Sequence, residues 1–241
     1  MQLDQKNIVL TGTSRGLGKK IAQACWSHGA NLLLVARSKE GLDALQNELA
    51  SATVRPKQAV FTCVADLSKE NAALTVVNKA LTHWTQAHAL INNASIAGPI
   101  GSAWETDWRE WESAMRVNLL APIELCRAFV PWMMATGAGS IINISGGDAL
   151  ATLPTTAGSS AFSTAEAGLI QFTEVLAAEL KSSGVRANAL TSELLRGASD
   201  DDATAVAELC VFLAADASLG ISGKRINSRS DMANGAVSRC G

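Results

Sequence analysis

The sequence predicts an α/β fold: one domain, residues 1–241, built as a doubly wound parallel sheet of seven strands flanked by helices. Three observations predict it. Short β-branched and leucine-rich runs alternate with longer helical patterns from Ile8 to Leu190, the signature of repeated β-α-β units. A glycine-rich turn at Gly12–Gly18 falls directly between the first such run and the first helical pattern. The chain has 241 residues, 48% of them hydrophobic and 17% charged, which is enough to bury a substantial core without a second domain.

The elements follow in order. Asn7–Leu10 and Asn31–Val35 are apolar runs long enough for strands, with a helix at Leu17–His28 between them. A helix at Lys39–Ser51 leads to a strand at Gln58–Cys63, and a helix at Lys69–Trp84 leads to the short strand Ala89–Ile91. One long helix is predicted at Trp108–Thr136, before the β-branched strand Ser140–Ile144. The helix at Thr164–Ser182 is expected to be buried, on the apolar set Phe162, Leu169, Phe172 and Leu176 at and after its start. The strand Val185–Ala189, a helix at Ala203–Ala215 and a ragged strand at Lys224–Ile226 complete the set. Asp200, Asp201 and Asp202 read as a solvated helix start. Trp104, Trp108 and Trp111, spaced four then three, predict packing on the core or on another subunit.

Composition excludes several functions. With 20 Lys and Arg against 22 Asp and Glu, the net charge of -2 supplies no basic surface for nucleic acid. The five cysteines are widely spaced with no C-x-x-C pair, and His28, His83 and His88 are scattered at element ends, so no metal site is expected. Neither a signal-like N-terminus nor an apolar run of about 18 residues is present. These features predict a soluble cytoplasmic protein with reduced thiols and no membrane partner.

The glycine turn reads Thr11-Gly12-Thr13-Ser14-Arg15-Gly16-Leu17-Gly18. Glycines there let the backbone turn tightly and approach a pyrophosphate, while the helix N-terminus offers free N–H groups and positive dipole. After the second strand the chain reads Val35-Ala36-Arg37-Ser38. A carboxylate at that place would accept from a free ribose 2′-hydroxyl and repel a 2′-phosphate. Arg37 and Arg15 instead offer two guanidinium groups suited to phosphate, which favours NADP(H) over NAD(H); the other reading makes both arginines surface charges.

With these residues in hand, the chain resembles the short-chain dehydrogenase/reductase family, whose loop reads T-G-x-x-x-G-x-G. The likeness runs in order through Ala65-Asp66-Leu67-Ser68, Asn92-Asn93-Ala94-Ser95, Val117-Asn118-Leu119 and Ile141-Ile142-Asn143-Ile144-Ser145, over about residues 5–225. It implies a Rossmann-like fold. It also implies a dinucleotide site of Gly12, Ser14, Arg15, Gly16, Leu17, Gly18, Arg37, Asp66, Leu67 and Asn93, and a homodimer, a homotetramer or a mixed assembly.

The resemblance further implies a tyrosine that transfers a proton, a lysine four residues later that lowers its pKa, and a serine on the substrate carbonyl. This chain contains no tyrosine. Phe162 stands in the tyrosine frame, Glu166 in the lysine frame, one helical turn on. Gly146 falls where the serine is expected, leaving Ser145 one residue early, with the spacing to Phe162 slightly longer than the family's. Only Asn118 of the family's catalytic set is unchanged, and a helix kink or a water site would explain it without chemistry. Ala189-Leu190-Thr191-Ser192-Glu193 replaces the family's Pro-Gly turn, and the substrate lid, around 192–204, is shortened.

Two expectations follow. The first is an NADP(H)-binding protein with its proton-transfer site lost, non-catalytic or weakly active, serving as a partner or scaffold. The alternative is an active oxidoreductase or lyase whose non-standard site uses Asn118, Ser145 and Glu166. In it, Glu166 or Asp148 acts as acid or base, with Thr152 and Ser159 as further substrate contacts. Against that, Glu166 also reads as a solvated or arginine-paired carboxylate. A third course is slow hydride transfer with the proton taken from water or substrate.

Overall fold

The structure, a computed structural model, describes residues 1–146, 157–192 and 200–227. Asp148, Thr152, Cys240 and residues 193–199 of the expected lid lie outside the described residues.

Seven parallel strands form one sheet in the order β3-β2-β1-β4-β5-β6-β7. They are β1 (Asn7–Thr11), β2 (Asn31–Ala36), β3 (Val60–Val64), β4 (Ala89–Asn92), β5 (Gly139–Gly146), β6 (Val185–Ser192) and β7 (Arg225–Asn227). The described helices are α1 (Gly16–Ser27), α2 (Lys39–Ser51), α3 (Ala72–Leu81), α4 (Trp108–Met115), α5 (Ala121–Ala135), α6 (Ser160–Glu179) and α7 (Asp200–Ala214). This is the expected Rossmann-like doubly wound sheet.

Alternation within the strands decides which helix covers which face. Ile8, Leu10, Leu32, Leu34 and Ile142 turn to one side and pack with Ile21, Leu42 and Val206 of α1, α2 and α7. Val9, Leu33, Val35, Leu90 and Ile141 turn to the other and pack with Val76, Leu125, Phe129 and Leu176 of α3, α5 and α6. Both faces are therefore dry, which is why these strands are nearly uninterrupted apolar runs. The order also creates a switch point: the chain runs outward from β1 to β3, then returns to β4 on the other side of β1. Connections diverge there, leaving a crevice above the C-terminal ends of β1 and β4.

Several boundaries differ from the sequence expectation. Strand β3 starts at Val60 because the backbone N–H groups of Gln58 and Ala59 are taken by the Arg55 carbonyl (3.4 Å) and Asn31 Oδ1 (3.1 Å). Helix α3 starts at Ala72 because Asn71 is left-handed (φ 64). The expected helix 108–136 is interrupted at Arg116–Leu120 by a π-turn carrying Asn118. Helix α6 begins at Ser160 and β5 runs on to Gly146. The tryptophan expectation is overturned as far as this chain's core goes. Trp104 and Trp108 are 85% and 65% exposed, and of the three only Trp111 is half-buried.

Candidate dinucleotide site

A cleft of about 690 Å³ opens at the switch point. Its floor is the β1–α1 turn. Gly12 is left-handed (φ 73), and a Cβ there would meet Ala94 Cα at 2.8 Å; one on Gly18 would meet the Gly12 carbonyl oxygen at 2.1 Å. Side chains are therefore barred by the turn's own packing. Gly16 is left-handed too, with open space around it. Asn93 locks the turn from β4, donating from Nδ2 to the carbonyls of Thr11 (2.9 Å) and Gly12 (3.2 Å), while the Thr11 hydroxyl accepts the Asn93 and Ala94 N–H groups. Arg15 precedes α1 without a side-chain cap, so the first N–H groups of that helix face the cleft uncapped.

One wall holds Arg37 and Ser38 from the end of β2 with Asp66 and Leu67 from the end of β3. Ser38 Oγ caps α2, accepting the Gly41 N–H at 3.0 Å. Burial raises the Asp66 pKa, but the N–H and O–H of Ser68 (3.0 and 2.8 Å) with the nearby charges of Arg37 and Lys69 hold it net below the usual range. The opposite wall holds Asn93, Ala94, Ser95, Ile96 and Val117.

All ten residues expected at the dinucleotide, Gly12, Ser14, Arg15, Gly16, Leu17, Gly18, Arg37, Asp66, Leu67 and Asn93, line this single cleft. The residues fit such a ligand: a glycine cradle that excludes Cβ atoms, an uncapped helix N-terminus and two arginines at its rim. Ser38, Ser95, Ile96 and Val117 line it as well and were missed. Ser38 was findable, being a capping residue directly after Arg37; Ile96 and Val117 are brought in only by tertiary packing.

None of the three residues expected to carry chemistry lines this cleft. Asn118 is buried, and its amide is occupied by one backbone unit: Nδ2 donates to the Ile96 carbonyl (2.8 Å) and Oδ1 accepts the Ile96 N–H (2.9 Å). It clamps the segment after β4 against the π-turn. Ser145 and Glu166 meet between the end of β5 and α6. Glu166 is 1% exposed, and its Oε2 accepts the Gly146 N–H at 2.6 Å. Burial pushes its carboxyl up to about 7, against the opposing pull of Ser145 and the Gly146 N–H. The solvated or arginine-paired reading of Glu166 is therefore overturned: the group is desolvated, and no arginine pairs with it among the described residues. Ser145 Oγ is buried and near enough to Glu166 to draw its carboxyl down, but lies outside hydrogen-bond geometry with it. Phe162, one turn before Glu166, is half-buried. Ser159 Oγ lies 3.1 Å from Ser163 Oγ.

No group of three or more metal-ligating side chains occurs among the described residues, nor any helix long and apolar enough to cross a membrane. Cys25, Cys63, Cys126 and Cys210 are free and buried.

A parallel sheet with a glycine turn at its switch point is the arrangement of dinucleotide-binding folds. The chain belongs to the short-chain dehydrogenase/reductase family, whose members bind a nicotinamide cofactor: residues 6–203 match the short chain dehydrogenase profile. A short chain dehydrogenase of Pseudocercospora fijiensis is 32% identical over 207 residues, covering 83% of this chain and 64% of that protein. The ketoacyl reductase HetN of Nostoc is 34% identical over 183 residues, covering 76% of this chain and 61% of HetN. The chain thus spans less than two thirds of either relative. A metagenomic short-chain oxidoreductase solved in complex with NADP superposes with a TM-score of 0.82 at 29% identity, covering 94% of this chain and 99% of that one.

Proposed function

We propose that this protein binds NADP(H) in the switch-point cleft and carries little or no carbonyl-reductase activity, serving as a partner or scaffold. One observation carries the reading. At the place where the resemblance implies a lysine beside a tyrosine, the protein has a buried carboxyl turned onto the Gly146 N–H and a phenylalanine without an ionisable proton. A carboxyl there adds no positive field for a developing oxyanion, and the missing proton donor alone removes on the order of 10²–10⁴ in rate.

Arg37 and Arg15 support NADP(H) over NAD(H), since the 2′-phosphate would sit by two guanidinium groups rather than a carboxylate. When bound, the cofactor would supply a hydride; the protein's part is to hold the phosphates on the Gly12–Gly18 turn and orient the nucleoside against Asp66 and Leu67. The protein is read as a single domain with a shortened lid around 192–204, working in the cytoplasm, where its buried thiols stay reduced. Exposed Leu120, Met134 and Val175 on or beside α5 and α6 support a homodimer, a homotetramer or a mixed assembly.

A second reading rests on the raised Glu166 carboxyl. A carboxylic acid poised near neutrality is equipped to donate a proton, with Ser145 beside it. NADPH oxidation over a broad carbonyl panel separates the two. Negligible turnover in the wild type supports the first reading; turnover that Glu166→Gln abolishes supports the second. Arg37→Ala should weaken NADPH binding by ~1–3 kcal/mol, and an unchanged affinity would remove the NADP assignment.

A further inference from the structure

We propose that the segment 100–112 is a docking surface for a cationic, partly apolar peptide segment of a partner protein. No residue of this segment lines the nucleotide cleft. Ile100, Trp104 and Trp108 are 85%, 85% and 65% exposed. Three large apolar side chains this exposed within so short a stretch of chain mark an interaction site rather than ordinary scatter.

The surface is held rigid. The Trp108 and Trp111 rings stack in parallel with centroids 5.1 Å apart, and Trp111 Nε1 donates to Ser160 Oγ at 3.3 Å. The Gly101 N–H donates to the Gly158 carbonyl at 3.0 Å, and Asp107 caps α4 by accepting the Arg109 and Glu110 N–H groups (2.7 and 3.2 Å). The aromatic platform is thus ordered before anything binds, which lowers the entropic cost of association.

Charge selects the partner. Glu105, Asp107, Glu110 and Glu112 are exposed, with Arg109 the one basic residue in the segment, and none of the five is in an ion pair among the described residues. Indole faces bordered by carboxylates attract arginine and lysine through both cation–π and charge terms. The same carboxylates repel anionic lipid and nucleic acid. A twofold contact with a second copy would set this acidic face against itself.

The test is calorimetric titration of the full protein with a short peptide alternating arginine and leucine, and with its glutamate–leucine counterpart. The arginine peptide should bind saturably and at least about tenfold more tightly than the glutamate peptide. Trp104→Ala/Trp108→Ala and Glu105→Gln/Glu110→Gln should each weaken it about tenfold or more, with the native circular dichroism spectrum retained. Equal binding of the two peptides, no binding, or binding unaffected by the tryptophan pair would overturn the proposal. So would a dimer in sedimentation that the tryptophan pair abolishes, since that assigns the face to a second copy.

Discussion

The Glu166 carboxyl sits 2.6 Å from the amide nitrogen of Gly146, joining helix α6 to the last residue of strand β5 inside the protein. Burial is the largest influence on that carboxyl and holds it near pKa 7, against 4.5 for an exposed glutamate. The folded state therefore keeps its proton more tightly than the unfolded chain does. Stability from this site is fully present below about pH 4.5 and is lost as pH rises through 7.

Glu166→Gln, which keeps an acceptor for Gly146 but cannot ionise, should flatten that dependence. In urea unfolding it should match the wild type near pH 4 and exceed it near pH 8, by on the order of 3 kcal/mol. Identical pH profiles for the two proteins would show that the carboxyl is solvated.

Asn118 should behave as a clamp. Asn118→Ala strands both the N–H and the carbonyl of Ile96, costing roughly 1–3 kcal/mol for each group left without a partner. Because Ile96 lines the cleft, NADPH affinity should fall along with unfolding stability. A variant of unchanged stability with only turnover lost would assign Asn118 to chemistry instead.

His88 provides a pH response of the opposite sign. Burial lowers its pKa below 6.5, Lys6 lowers it further and Asp216 partly restores it; its Nδ1 accepts the Asn7 N–H at 2.9 Å, which requires the unprotonated nitrogen. Its contribution is complete above about pH 6.5 and disappears as pH falls through the lowered folded value. NMR titration of the ring should give a midpoint below 6.5. A midpoint above it would contradict the burial.

Much of the fold was legible because β1, β2 and β4 are covered on both sides and so are written as local apolar runs. The glycine turn was legible for a similar reason, its determinants being contiguous. What escaped the sequence depends on distant partners. The π-turn in the 108–136 helix is stabilised by Asn118 reaching Ile96, a contact no periodicity announces. The partner of Glu166 lies twenty residues away across β5 and α6, so a residue that looked solvated proved buried. Helical spacing grouped Trp104, Trp108 and Trp111 but carried no information about which way they face, and the first two turned outward.

If the cradle for the adenosine half is intact while the groups serving the nicotinamide half are changed, the nicotinamide ring should add little to affinity. Titrating NADPH and 2′-phospho-ADP-ribose against the intrinsic fluorescence of the six tryptophans tests it most directly. Dissociation constants within a few-fold of each other are expected, the nicotinamide half adding little. A preference of about 100-fold for the whole cofactor, roughly 2.7 kcal/mol, would contradict it.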